Sequence, residues 1–313
     1  MPKISERIET VLLETRMLLL GGQVLLGFSY RICFEQGFEN IPVAARLAEV
    51  IGLAIMTAGL GWLIWPAAFH QITERGAGTD RFEKLTTSVL DWALLPFAVG
   101  LGLSFYPVSS ALHLPNPAWI GVAAALFALT AWYGMSLVRR VTKKSKLAEA
   151  HQQEQSHPQK KPQPQKEEKE SDLSDRIKEV LLECRMAAPG AQAFLGFQFA
   201  IVFAEGFEKL PRGSQLVHFG SLLATTICIV LLIAPAPYHR LAEQGAETER
   251  FHRVASRLLV VALIFLAPGM AGDLLVVLRK VTGSTELANS ISALLLLSFY
   301  ALWFGVSLLK RRT

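Results

Sequence analysis

Charge is the scarcest commodity in this chain: 18% of its 313 residues are Asp, Glu, Lys or Arg, whereas 51% are hydrophobic. Soluble domains carry about 25% charged residues, and the mean hydropathy of +0.35 argues against a water-soluble fold. Cysteine is nearly absent too. Cys33, Cys184 and Cys228 lie in apolar surroundings at spacings that make neither a zinc site nor a disulfide framework, so they read as small buried hydrophobes. No zinc-protease helix, serine elbow or phosphate loop is present, which argues against an enzyme, a metal centre and a bound cofactor. A secretory signal is also missing: Met1 to Met17 interleaves Lys3, Arg7 and Arg16 with Glu6, Glu9 and Glu14, without a cleavage site after a short apolar run. Insertion, not export, is the expectation.

What the chain has instead is long apolar blocks, and it has them twice. Ser5-Glu-Arg-Ile-Glu-Thr-Val-Leu-Leu-Glu-Thr-Arg-Met17 returns as Ser174-Asp-Arg-Ile-Lys-Glu-Val-Leu-Leu-Glu-Cys-Arg-Met186. The same offset of 169 positions aligns Gly21 with Gly190, Gln23 with Gln192, Pro42 with Pro211, His70 with His239 and Arg81-Phe82 with Arg250-Phe251. Self-similarity over this length means a tandem duplication. Each copy has four blocks near the roughly 20 residues that cross a bilayer: Leu18–Phe38, Val43–Phe69, Leu85–Tyr106 and Ala118–Val138, then Ala187–Phe207, Leu216–Tyr238, Leu258–Leu278 and Leu287–Leu309. The expected fold is an all-α membrane protein of eight transmembrane helices in two parallel-oriented four-helix repeats, 1–142 and 173–313. The segment 143–172 between them is rich in Gln, Pro, Lys and Glu and nearly free of apolar side chains, so it reads as a disordered linker.

Four spans per copy put the N-terminus, linker and C-terminus on one side. That side receives 25 of the 31 Lys and Arg residues, so the positive-inside rule makes it cytoplasmic in a multi-pass inner (plasma) membrane protein. The net charge of +5 is thereby explained by topology, and no nucleic-acid partner is expected. Equal insertion of both copies makes them a pseudo-dimer about an axis along the membrane normal. Ahead of each first span, Ile8, Val11 and Leu12, like Ile177, Val180 and Leu181, repeat at helical spacing against a charged face. They predict a cytoplasmic amphipathic surface helix in each copy, with Ser5 and Ser174 as N-caps.

Polar groups inside hydrocarbon are costly and mark pathways or locks. An inner layer holds Glu14, Arg16 and Gln23 with their copies Glu183, Arg185 and Gln192, together with His70 and His239; Asp91 on the third span lies at a depth from which it could reach His70. These, together with Asp273, are the candidates for a proton or ion pathway. The competing reading has the arginines snorkelling to headgroups and the acids paired at the boundary. Pro189-Gly190 predicts a break at the start of the fifth span that frees the carbonyl of Arg185, and Pro96 and Pro268 predict kinks. An outer layer holds Arg31, Glu49 and Asp273, roughly 7 to 11 Å inside the outer ends of their spans at about 1.5 Å per residue, and predicts an ion pair joining the copies. Gly100-Leu-Gly102 reads as a site of close helix packing.

At Glu14-Thr-Arg-Met17, Gly21-Gly-Gln23, Glu183-Cys-Arg-Met186, Pro189-Gly-Ala-Gln192, Leu195-Gly-Phe-Gln198 and Ala234-Pro-Ala-Pro-Tyr-His-Arg240 the chain resembles a bacterial and actinobacterial family of four-helix membrane proteins of unknown function. Some members carry the label sodium:proton antiporter. The resemblance covers each copy nearly end to end and implies fold and membrane location; the expected partners are the lipid bilayer and Na+ or H+. Proton-linked cation transport is the leading expectation, and a non-transporting structural or stress-related membrane protein the alternative.

Overall fold

The structure, a computed structural model, describes the backbone of residues 4–150, 165–241, 243 and 248–312, and side chains within 8–133, 173–239, 243 and 248–311. Among these residues there is helix and no strand. The first copy contains α1 (Ile4–Ile32), a 3-10 turn (Gln36–Asn40), α2 (Val43–Ile72), α3 (Asp80–Ala111) and α4 (Pro117–Ala150). The second contains α5 (Gln165–Ile201), α6 (Glu205–Glu208), α7 (Arg212–Ile233), α8 (Pro235–Leu241), α9 (Glu249–Thr282) and α10 (Thr285–Tyr300), which runs through a π turn (Ala301–Val306) into α11 (Ser307–Arg312).

The repeat in sequence is a repeat in local chemistry. Thr79 and Thr248, at equivalent positions, cap α3 and α9 by accepting from the amides of Phe82 at 3.1 Å and Phe251 at 3.0 Å. Pro42 and Pro211 stand at the starts of α2 and α7, where a missing amide costs nothing. Gly283 ends α9 at φ +67, a left-handed cap that a side chain would strain. One equivalence diverges. Pro66 sits inside an unbroken α2, whereas Pro235, followed by Pro237, separates α8 from α7; two missing amides two residues apart break what one does not.

Within the first copy α3 packs on α2 and α4, and in the second α9 packs on α7 and α10. Glycines set the spacing in the first: a Cβ on Gly102 would lie 2.7 Å from the carbonyl oxygen of Gly121, and one on Gly52 3.4 Å from that of Gly100. Gly100 and Gly102 therefore serve close packing, Gly100 toward α2 and Gly102 toward α4. The copies meet chiefly along α1 and α5. Equivalent residues touch each other there: the rings of Phe28 and Phe197 are 4.6 Å apart, and the amide of Gln36 donates to the carboxylate of Glu205. Nearby the amide of Gly206 donates to the carbonyl of Phe34 at 3.1 Å. A second contact lies between α2 and the C-terminal helix, where the indole of Trp303 donates to the carbonyl of Gly61 at 2.7 Å with Phe299 stacked on it. Thr130 and Gly134 occupy those positions in the first copy, so this aromatic lock is one-sided.

Large apolar side chains turn outward, among them Trp119, Phe127 and Phe203, and among the described residues six helices are long and apolar enough to cross a membrane. These six cover six of the eight apolar blocks: Ile8–Ile32, Val43–Ile72, Asp80–Ala111, Arg212–His239, Glu249–Thr282 and Thr285–Arg311. In α4 the described apolar stretch is the shorter Pro117–Tyr133, and α5 ends at Ile201, soon after its apolar part begins at Ala187. Separate surface helices are absent among the described residues. α1 and α5 run straight through, burying Ile8, Leu12, Ile177 and Val180 against protein, and the backbones of Ser5 and Ser174 lie inside these helices instead of preceding them. α5 is also continuous through Pro189, which overturns the expected break. α3 and α9 run through Pro96 and Pro268. Helix extends into both ends of the expected linker, to Ala150 and from Gln165, and 151–164 lies outside the described residues.

Candidate functional site

The most concentrated buried charge lies where the last turn of α2 meets α5. The ring of His70, 0% exposed, places Nδ1 2.7 Å from Oε1 of Glu183 and Nε2 3.3 Å from Oε2 of Glu179. Gln71 donates its amide to the other oxygen of Glu183. Helical geometry explains the set: Glu179 and Glu183 are four residues apart and so share one face of α5. Phe82, placed by the Thr79 cap, stacks on the imidazole at 4.1 Å and fixes its plane. The clasp joins the copies, since His70 and Gln71 belong to the first and both acids to the second. Removing either partner would strand a charge in a low dielectric.

A second pair of clusters occupies equivalent positions within each copy, nearer the opposite ends of the spans. In the second copy Asp273 on α9 accepts from the Gln198 amide at 2.6 Å and meets Nδ1 of His218 at 2.9 Å, while Nε2 of His218 lies 3.0 Å from the Gln198 carbonyl. In the first copy the corresponding positions hold Ser104, Ser29 and Glu49. Ser104 donates to Glu49 at 3.2 Å, and the two serine hydroxyls are 3.1 Å apart. Three helices thus bring three polar side chains together at the same level in both copies. The first has a carboxyl among hydroxyls, and the second a carboxyl between an imidazole and an amide. All six are buried, and one oxygen of Glu49, the side-chain amide oxygen of Gln198 and the nearby Tyr30 hydroxyl find no hydrogen-bond partner among the described residues.

These contacts reassign much of what composition and depth predict. The expected Arg31, Glu49 and Asp273 ion pair across the copies does not form: Arg31 is half exposed and pairs with Glu35 at 2.9 Å, one turn along its own helix. Asp91 is exposed on α3, its carbonyl bonded by the Tyr133 hydroxyl at 2.6 Å, and the carboxylates at His70 come from α5 instead. Equivalent positions also part company. Glu183 is buried and Glu14 exposed; Gln23 is buried over Gly190, while Gln192 is exposed. Arg16 and Arg185 are both exposed, and His239, partly buried, packs its ring 4.6 Å from Phe251. Composition and depth do not single out Glu179, Gln71, Ser29 or His218, and Gln198 enters only within the family motif Leu195-Gly-Phe-Gln198. The signal that finds the last three is the column: positions 29, 49 and 104 are polar in both copies inside otherwise apolar spans.

At the C-terminal end of α9 the copies are clipped by Lys280, whose ammonium lies 3.2 Å from Glu39 and near the faces of Phe34 and Phe38. Hydrogen bonding and attraction from Lys280 hold the Glu39 carboxyl below its ordinary range. No group of three or more His, Cys, Asp or Glu side chains able to hold a metal ion occurs among the described residues.

A helical chain with apolar spans, a duplicated sequence and imidazole–carboxylate clusters buried between its helices defines a class: helical membrane proteins with ionisable groups inside the bundle. The family follows from comparison. The model of the family of unknown function DUF6328 matches twice, over residues 3–136 and 166–307, so this chain belongs to that family and carries its domain in tandem. No curated protein and no solved structure matches it.

Proposed function

We propose that this protein is a proton-linked cation transporter of antiporter type, built as eight spans in two parallel repeats related by a pseudo-two-fold axis along the membrane normal. In this reading both termini are cytoplasmic in the inner (plasma) membrane, Na+ and H+ are the transported partners, no nucleic acid is involved and no enzymatic reaction is catalysed. α4 and α5 complete the eight spans by crossing with protein on one side, where α5 is sheltered by α1. The observation that carries the proposal is the fully buried His70 held between Glu179 and Glu183 at the junction of the copies. An imidazole between two carboxylates can take up and release a proton while keeping a partner, which suits a relay inside a membrane. The His218–Asp273 pair supplies a second such group at another depth. The contacts of Phe28 with Phe197 and Gln36 with Glu205 support the axis, because residues on a two-fold axis meet their own equivalents.

A non-transporting role has its own support: the charged groups of both clusters are paired within the protein, as in a static lock. Proteoliposomes enclosing a pH-sensitive dye distinguish the readings. Under an imposed pH gradient, wild type is expected to carry protons and Glu183→Gln and Asp273→Asn to lose flux; wild-type vesicles no faster than empty ones favour the lock.

A further inference from the structure

Beside the second-copy triad, between α5, α6 and α7, opens a cleft of about 450 Å³ with Leu216, Phe219 and Leu222 along one wall and Val202 opposite. Leu216, Phe219 and Leu222 are spaced by three residues on α7 and so descend one face of a span, two of them more than half exposed. At the mouth stand two exposed charges of opposite sign, Glu208 at the end of α6 and Arg212 at the start of α7. The Arg212 guanidinium donates to the side-chain oxygen of Gln215 at 3.3 Å, and neither charge enters an ion pair among the described residues. Gln215 turns its amide toward the carbonyls of Phe207 and Glu208, 3.4 Å from each, and so braces the mouth. The floor is closed by His218, whose two nitrogens are occupied by Asp273 and Gln198, leaving ring carbon toward the cleft. The first copy cannot form the same mouth: Val43 replaces Arg212, and Glu39 is taken by Lys280.

We propose that this cleft binds one zwitterionic phospholipid with a primary amine headgroup, such as phosphatidylethanolamine. Its phosphate lies on Arg212, its ammonium on Glu208, and one acyl chain runs down Leu216, Phe219 and Leu222. Opposite charges at the mouth select a headgroup carrying both signs, and an exposed apolar wall that begins at the charges and descends a span suits an acyl chain. The Glu208 carboxylate disfavours a purely anionic headgroup, and a quaternary amine has no hydrogen to donate to it. The proposal rests on the loops of α6 and α7 lying at a membrane surface and is independent of transport.

The test is native mass spectrometry of the delipidated full chain titrated with phosphatidylethanolamine, phosphatidylcholine or phosphatidylglycerol. The primary-amine lipid is expected to be retained most tightly, and Glu208→Gln to weaken it by about tenfold, the loss of one hydrogen bond to a charged group, leaving phosphatidylglycerol no weaker. Arg212→Ala is expected to weaken all three. Both side chains are exposed, so these variants leave the bundle intact, and retention can be read whether or not the protein carries ions. Equal retention of the three lipids, or a preference that Glu208→Gln leaves unchanged, overturns the assignment.

Discussion

Glu14 and Glu183 are the same residue at the same position of two copies, yet one is exposed and the other fully buried against His70 and Gln71. Their alanine variants therefore separate what sequence makes equal. Glu183→Ala removes the 2.7 Å partner of His70 and the acceptor of Gln71, leaving the imidazole with Glu179 at 3.3 Å. Breaking a buried pair by deleting one member costs about 3–5 kcal/mol. At the roughly 2 °C per kcal/mol of larger chains, the melting temperature falls by about 6–10 °C. Glu14→Ala, at the surface, stays within about 0.5 kcal/mol, or roughly 1 °C. The chain supplies its own reporter, since all three cysteines are buried and become accessible to a thiol-reactive fluorophore on unfolding. Melting both variants in mild detergent with that dye gives the comparison directly. Equal shifts would refute the claim that the clasp joins the copies through the second copy's acid alone.

Further expectations follow from single contacts. Gly190→Ala drives a methyl into the Gln23 amide and is expected to cost about 1–3 kcal/mol, whereas Gly21→Ala, with nothing within 4 Å, is neutral or stabilising by up to about 1 kcal/mol; the same dye melt reads both. Trp303→Phe keeps most of the packing on Phe299 but loses the hydrogen bond to Gly61, and should cost about 1 kcal/mol in that assay. The Glu39–Lys280 clip depends on pH with a definite sign. Because folding lowers the Glu39 pKa, its contribution is present above the ordinary glutamate value of about 4.3 and disappears as pH falls through the lower folded value. Glu39→Gln should therefore show less loss of melting temperature than wild type between about pH 5 and about pH 3.

Much of the architecture is legible in the chain because it depends on composition and periodicity. The duplication and the helical class follow from local patterns that equivalent residues repeat, whereas the starts of α3 and α9 at Thr79 and Thr248 lie ahead of the apolar blocks that begin at Leu85 and Leu258. What was not legible depends on how two helices turn about each other. α1 and α5 share a sequence pattern, but α5 turns Glu179 and Glu183 inward while α1 keeps Glu14 outside and buries Gln23. No periodicity within one copy reveals this, because the deciding partners, His70 and Gln71, come from the other. Arg31 differs for a related reason: depth along a span says which charges share a level but not which way they face, and Glu35 one turn away is the partner it meets. The triads at 29, 49 and 104 and at 198, 218 and 273 lay between these cases. Their columns can be read from the sequence, and only the fold shows that each column closes on itself.

The central claim is that the buried acid–imidazole clusters move protons against a cation, and an ion-driven pH change tests it most directly. Proteoliposomes loaded with sodium and a pH-sensitive dye are diluted into sodium-free buffer, with wild type, Glu183→Gln and the surface control Glu14→Gln compared at matched reconstitution. The account predicts internal acidification with wild type and Glu14→Gln and none with Glu183→Gln; folded wild-type protein, its cysteines still protected, that leaves the internal pH unchanged would contradict it.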